Sequence, residues 1–228
     1  PQVGVCGSDC RVIGVKYRAV LPRPLTDRLL RAALFFENPF LHPSILMRRS
    51  IFTEIGIRYS IEYPASEDYA LWIQLRKVTL FANLPERLIT YRRHPAQTTR
   101  TQRDDLLTQN LRLQIELLQE LIPEPTDEEI DLHRLACSRR FSPQKSLLQC
   151  LQGWLAHLSA INHRHGVCPE PEFTTVLARQ WFLLCYRSAP LGLWTWRAFW
   201  RAGLAEYGHV PPVAVVKLLL RCLSRTGA

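Results

Sequence analysis

The hydrophobic pattern of this 228-residue chain changes near residue 104, and this change constrains the fold more than any other feature. Before it, short apolar runs such as Val3–Cys6 alternate with stretches of helical periodicity. That alternation is typical of an α/β layer architecture. After it, only helical patterns occur, with prolines before several of them. The sequence therefore predicts an α/β region over residues 1–104 and an all-α region over residues 105–228.

The first region is predicted to consist of short elements. Thr26 is expected to cap a helix over Asp27–Glu37, and Ser66 to cap a helix that begins at Glu67. A short helix is expected from Ser50 to Gly56. Strands are expected at Val3–Cys6, at Arg11–Tyr17, at Ile45–Met47 (as a buried strand), and at Leu80–Leu84 and Leu88–Tyr91 on either side of a Pro85-Glu86 turn.

The second region is predicted to be a series of helices. A leucine stripe that ends at Leu121 indicates the first of them. Thr126 and Glu129 have the spacing of a capping box, and Ser142-Pro143 is expected to open the next helix with proline at its first position. Three more helices are predicted near residues 172–187, 191–206 and 212–224.

Composition excludes several classes of protein. With 47% hydrophobic and 21% charged residues, the chain is globular rather than disordered. Its seven cysteines contain no C-x-x-C pair, which favours reduced thiols in a cytoplasmic protein over zinc ligands or a disulfide framework. The sequence has no pattern typical of a secretory signal and no apolar run of about 18–20 residues. The net charge of +9 calls for a partner or surface to explain it.

Candidate functional residues concentrate between Asn38 and Thr99. In order, this stretch contains His42-Pro43-Ser44 with Arg48 and Arg49, Glu67-Asp68-Tyr69-Ala70-Leu71-Trp72, Asn83-Leu84-Pro85-Glu86, and Tyr91-Arg92-Arg93-His94. Each piece alone has a simpler explanation. An acidic pair at a helix start, for example, is favoured by the helix dipole. The order and the spacing of the pieces are what distinguish this stretch.

Taken together, these motifs resemble the C-terminal half of a family-2 glycosyltransferase catalytic domain, which has the GT-A fold. Members of that family carry His-x-[Ser/Thr]-x-x-x-Arg, Glu-Asp-x-x-Leu-Trp, Asn-Leu-Pro-Glu and Tyr-Arg-x-His in this order, and Pro1–Ser8 matches the strand that follows the family's metal site. The resemblance covers about residues 1–100. It implies a partial GT-A α/β domain over residues 1–104, followed by a helical extension over residues 105–228.

The resemblance implies roles for individual residues. Asp68 would be the general base that deprotonates the acceptor hydroxyl, with Glu67 orienting the acceptor or the base. Substrate-binding candidates are His42, Arg48, Arg49, Trp72, Arg92, Arg93 and His94, and His94 is also the candidate metal ligand. Alternatives remain for three of these: a structural role for His42, a core position for Trp72, and a solvated loop for His94.

The resemblance also has consequences for cofactors. In the family, the donor-binding half with its Asp-x-Asp metal site precedes the segment that Pro1–Ser8 resembles. We therefore expect the chain to be a fragment of an enzyme whose full-length form uses a divalent metal, Mg or Mn. The Gln-x-x-Arg-Trp signature of processive polysaccharide synthases does not occur in the sequence, which predicts a non-processive enzyme. The fragment alone is expected to bind no metal and not to turn over.

The C-terminal segment, residues 189–228, is basic and aromatic. Leu193, Trp196, Phe199 and Trp200 would share one helix face with Arg197 and Arg201 beside it. This composition is typical of an interfacial helix on an anionic membrane. An ordinary helical subdomain that buries its tryptophans is the alternative. No recognised motif supports nucleic acid as a partner.

The leading hypothesis is an inverting glycosyltransferase of cell-surface polysaccharide synthesis. It would transfer sugar from a nucleotide-diphosphate donor to a glycan or lipid-linked acceptor, in the cytoplasm or peripherally on the inner face of the membrane. The alternative is a non-catalytic, membrane- or partner-binding remnant of such an enzyme.

Overall fold

The chain is mixed α/β and forms two compact units, Pro1–Glu116 and Leu117–Ala228, in a computed structural model that describes residues 2–14, 21–92, 94, 103–138, 141–205 and 210–224. Within these ranges, strands occur in the first unit, and the second unit consists of helices. This distribution of strands and helices agrees with the change from an α/β pattern to an all-helical pattern that the sequence predicts.

A three-stranded sheet organises the first unit. Strand β1 (Val3–Ile13) lies in the centre, antiparallel to β2 (Leu46–Met47) and parallel to β3 (Leu80–Arg92). The helices of this unit are α1 (Asp27–Ala33), the short α2 (Ser50–Thr53) and α3 (Glu67–Leu75).

Two pairs of predicted strands are each one continuous strand. β3 runs through Pro85 without a turn, and its register with β1 shifts between the pairs Ser8–Leu84 and Asp9–Arg87. Proline has no N–H to donate to a ladder, but an irregularity in an edge strand tolerates it. β1 likewise continues from Val3 to Ile13 and so includes the first three residues of the strand predicted over Arg11–Tyr17. Gly14 does not belong to the strand, and residues 15–17 lie outside the described residues.

The strand predicted over Ile45–Met47 as buried is instead a short exposed edge strand. β2 contains Leu46 and Met47, which pair with Cys6 and Val5, and Leu46 is 75% exposed. The apolar run predicts a buried strand, but the periodicity of so short a run does not show which of its sides is covered.

The core of the first unit lies between the sheet and helices α1 and α3. Its largest buried side chains include Leu30, Leu71, Trp72, Leu75 and Phe81. Asp27 ties α1 to the sheet, because its carboxylate accepts a hydrogen bond from the Phe81 N–H at 2.8 Å and one from Arg31 at 2.7 Å. Arg31 in turn donates to the Thr79 carbonyl at 2.9 Å, just after α3.

Helix α4 (Arg103–Leu121) contains the boundary between the units, which falls after Glu116. The sequence placed the boundary near residue 104, where this helix begins. The first turns of α4 belong to the first unit through specific bonds. Gln114 donates to the Phe36 carbonyl at 2.7 Å, and Gln109 accepts from the Ala65 N–H at 2.9 Å.

The second unit contains helices α5 (Asp127–Cys137), α6 (Lys145–His165), α7 (Glu172–Arg187), α8 (Leu193–Arg201) and α9 (Pro212–Ser224). The predicted capping box at Thr126 and Glu129 is confirmed. Helix α6 begins two residues after Pro143, since Gln144 before it has an extended backbone. Helix α8 begins two residues later than the predicted 191–206, because a separate 3₁₀ turn, Ala189–Leu191, precedes it. It ends at Arg201, and residue 206 lies outside the described residues.

Among the described residues, no helix is both long enough and apolar enough to cross a membrane.

Candidate active site

The Asp68 carboxylate lies at the start of α3, directly after Ser66 and Glu67. A negative charge is favoured there by the exposed N–H groups of the first helical turn. Asp68 Oδ1 accepts a hydrogen bond from the Tyr69 N–H at 2.7 Å. The side chain remains 21% exposed, so it is both anchored and accessible.

Asn38 holds the other oxygen of this carboxylate. Its side-chain Nδ2 donates to Asp68 Oδ2 at 3.0 Å, and its Oδ1 accepts from the Phe40 N–H at 3.1 Å. The amide is therefore oriented by the backbone before it reaches Asp68. Asn38 is not among the site residues that the sequence predicts.

His42 lies beside Asp68 in a 3₁₀ turn, His42–Ser44. Ser44 fixes this turn to β1, because its hydroxyl accepts from the Ser8 N–H and donates toward the Ser8 carbonyl, both at 3.0 Å. His42 Nδ1 is 3.8 Å from Asp68 Oδ2, which is too far for a hydrogen bond but close enough for electrostatic interaction. The ring is 40% exposed, which argues against the alternative of a buried structural histidine.

Tyr59 completes the group from the opposite side of the histidine. Its hydroxyl lies 3.2 Å from His42 Nε2. Burial raises the pKa of Tyr59 above its ordinary value, and the negative charges of Asp68 and Glu67 raise this pKa further. A protonated phenol can donate to Nε2, which leaves the ring proton on Nδ1, facing Asp68. No motif or spacing in the sequence predicts a role for Tyr59.

Trp72 forms the floor beneath His42. The two rings meet edge-on with centroids 6.1 Å apart, and Trp72 also packs against Phe40 at 5.2 Å. Trp72 is completely buried, so neither ring face is open to a sugar. This burial favours the core interpretation over a stacking platform.

Arg48 and Arg49 are exposed and do not lie on a strand. β2 ends at Met47, and Arg49 already has the helical backbone that leads into α2. Arg48 instead donates from Nε to the Val3 carbonyl at 2.8 Å. Roles for Arg48 and Arg49 in substrate binding stay predictions.

The basic residues after the Asn-Leu-Pro-Glu motif lie at the far end of β3. Arg92 is the last residue of that strand, opposite Ile13, and His94 is exposed. Arg93 lies outside the described residues. Roles for these three residues at a diphosphate stay predictions.

A metal site requires several donor side chains that lie close together. Within the described ranges, no group of three or more His, Cys, Asp and Glu side chains could hold a metal ion. Asp68 and His42 make a pair, and Asp9 is engaged by Arg23 at 3.7 Å and by Arg87 at 3.5 Å. These residues do not fit a divalent metal centre.

The sequence was also compared with known proteins. A 93-residue stretch is 31% identical to an uncharacterized glycosyltransferase of Haemophilus influenzae. The match covers 40% of this chain and 29% of the relative, so the chain spans less than a third of that protein's length. No protein-family model and no solved structure matches. The similarity supports a general relationship to glycosyltransferases and does not identify the type.

Proposed function

We propose that this chain contributes the acceptor-side catalytic residues of an inverting glycosyltransferase. The reaction would transfer a sugar from a nucleotide-diphosphate donor to a hydroxyl of a glycan or lipid-linked acceptor, as in the synthesis of cell-surface polysaccharides. The observation that carries this proposal is the Asp68 carboxylate, which is fixed by two N–H donors yet 21% exposed. The similarity to a glycosyltransferase over 93 residues supports the same class of reaction.

Asp68 would act as the general base. An acceptor hydroxyl placed against the carboxylate gives up its proton to an Asp68 oxygen while its own oxygen bonds to the anomeric carbon. The bond from that carbon to the diphosphate breaks on the opposite face, so the configuration inverts. The two N–H donors hold the carboxylate in one orientation, which lowers the entropy cost of reaching the reactive geometry.

His42 would position the acceptor and stabilise the base. With its proton on Nδ1, the ring presents a donor 3.8 Å from Asp68 Oδ2. An acceptor hydroxyl lying beside the pair, at about 2.8 Å from each atom, could contact both groups. Tyr59 would keep the ring in this tautomer, and the Ser44 bonds would keep it in place.

Asp68→Asn tests the assignment in the natural protein that contains this sequence. The amide keeps the shape of the side chain but cannot accept the proton. We expect turnover, measured as acceptor-dependent release of nucleoside diphosphate from a panel of donors, to fall about 100-fold to 10,000-fold. Donor binding, measured by calorimetry, should not change.

Asp127→Asn is the matched control. Asp127 is also an exposed carboxylate in the first turn of a helix, α5 of the second unit. If the Asp68 carboxylate only favours the helix dipole, both variants should behave alike. Full turnover by Asp68→Asn would overturn the proposal, and no turnover by the unaltered protein with any donor would favour a non-catalytic remnant.

A further inference from the structure

Helix α9 in the second unit is apolar on two opposite sides. Ala214, Leu218 and Cys222 are buried against the rest of the unit. A second stripe points away from it, spaced three or four residues apart along one face. This exposed stripe consists of Val213, Val216, Leu220 and Leu223.

The exposed stripe has no partner within the described part of the chain. Its four side chains are between 54% and 61% exposed. Val and Leu are ordinarily buried, and a continuous row of them on a surface marks an interaction site. The opposite side of α9 is already engaged, for example by Arg221 over the Tyr186 ring at 4.6 Å. The stripe is therefore a surface that the fold leaves uncovered.

The charges around the stripe have one sign. Lys217 is exposed next to it on the helix. Helix α8 repeats the combination, because Arg197, Trp200 and Leu193 are all exposed on one face, and Arg201 follows. In residues 173–228 the sequence contains a single acidic residue, Glu206. A surface with this composition complements a negatively charged, partly apolar partner.

We propose that α8 and α9 dock on the surface of an anionic lipid bilayer. Aliphatic side chains would enter the acyl boundary, Trp200 would lie at the headgroup level, and Arg197, Arg201 and Lys217 would contact lipid phosphates. Helix α9 has 13 residues, or roughly 20 Å, so it would lie in the interface and not cross the bilayer. This inference is independent of the proposed catalytic role of Asp68.

Vesicle co-sedimentation of the 228-residue chain tests the docking. The probes are vesicles of phosphatidylcholine alone and vesicles with about a quarter phosphatidylglycerol. We expect the chain to bind the anionic vesicles more tightly. The double variant Val216→Gln/Leu220→Gln should lose about tenfold or more in affinity. Lys217→Gln should lose about fivefold, and only on anionic vesicles.

Two control variants match these changes elsewhere. Ile61→Gln alters an apolar side chain that is 95% exposed in the first unit, and Arg164→Gln removes an exposed positive charge at the end of α6. Both should bind vesicles like the unaltered chain. All the substituted positions are exposed, and circular dichroism would verify that each variant is folded.

Three results would overturn the proposal. The first is unchanged vesicle binding by Val216→Gln/Leu220→Gln. The second is equal binding to neutral and anionic vesicles. The third is a dimer, seen by sedimentation velocity, that this double variant dissociates without affecting vesicle binding, because the stripe would then belong to a second copy of the chain. Asp68→Asn should bind vesicles normally, so failure of the docking and failure of the catalytic proposal are distinguishable.

Discussion

At the residue scale, the candidate site is a chain of contacts that runs from Tyr59 through His42 to Asp68. The Tyr59 hydroxyl lies 3.2 Å from His42 Nε2, and His42 Nδ1 faces Asp68 Oδ2. Tyr59, His42 and Asp68 are not adjacent in the sequence. The loops around α3 bring the three groups together. A Tyr59 hydroxyl that donates to Nε2 leaves the histidine proton on Nδ1.

Tyr59→Phe tests this dependence. The substitution removes the donor to Nε2 and leaves the ring in place. We expect the nitrogen-15 shifts of His42, recorded at mildly alkaline pH, to change from predominantly Nδ1–H to a mixture of tautomers. Turnover should fall about threefold to tenfold, which corresponds to the loss of one hydrogen bond.

Tyr186→Phe is the control for that experiment, since it removes a tyrosine hydroxyl from α7 of the second unit. It should alter neither the histidine spectrum nor turnover. If Tyr59→Phe keeps the Nδ1–H tautomer, the hydroxyl does not direct the proton, and the role given to Tyr59 is wrong.

The site residues differ in how far sequence could identify them. Asp68 and His42 occur in motifs with fixed spacing, so a resemblance could point to both. Asn38 and Tyr59 carry no such signal, because they reach the site through a chain reversal and a loop whose paths no periodicity encodes. Their polar side chains look the same in sequence as those of any surface loop.

At the scale of elements, the stability of the capping box at the start of α5 depends on pH. The Thr126 backbone N–H lowers the pKa of Glu129 below its ordinary 4.5, and His157, 3.3 Å away, lowers it further. A lowered pKa in the folded state stabilises the protein above pH 4.5, and this stabilisation is lost as the pH falls below that value. Glu129→Gln keeps an acceptor for the cap but removes the charge. We expect urea unfolding curves of this variant to depend less on pH on the acid side.

Glu128→Gln is the matched control, because Glu128 is exposed in the same first turn and takes no part in the capping box. It should retain the acid sensitivity of the unaltered chain. The interpretation fails if Glu129→Gln and the unaltered chain lose stability over the same pH range to the same extent.

Elements with strong local signals could be predicted, and elements determined by pairing could not. The capping box at Thr126 and the helix Glu172–Arg187 were predicted because caps and helical periodicity are local. The continuity of β3 through Pro85 depends on its ladder with β1, about 75 residues earlier in the chain. β2 is exposed at the sheet edge because, among the described strands, it pairs only with β1. This pairing also lies beyond what a local pattern shows.

At the scale of the whole molecule, the net charge of +9 is unevenly distributed. Residues 189–228 contain five Lys and Arg against one acid, whereas residues 106–188 contain eight against nine. The same C-terminal segment carries the exposed apolar stripe of α9. If a membrane binds this chain through its overall charge, basic residues at all positions would contribute equally. If the membrane binds the α8 and α9 surface, the position of each basic residue matters.

Salt dependence separates these two mechanisms. The triple variant Arg197→Gln/Arg201→Gln/Lys217→Gln should bind anionic vesicles weakly, and its affinity should change little between about 0.05 M and about 0.5 M salt. A second triple variant, Arg11→Gln/Lys77→Gln/Arg164→Gln, removes the same number of exposed charges outside residues 189–228. It should keep the affinity and the steep salt dependence of the unaltered chain. Equal losses in both triple variants would mean that overall charge, and not the α8 and α9 surface, determines binding.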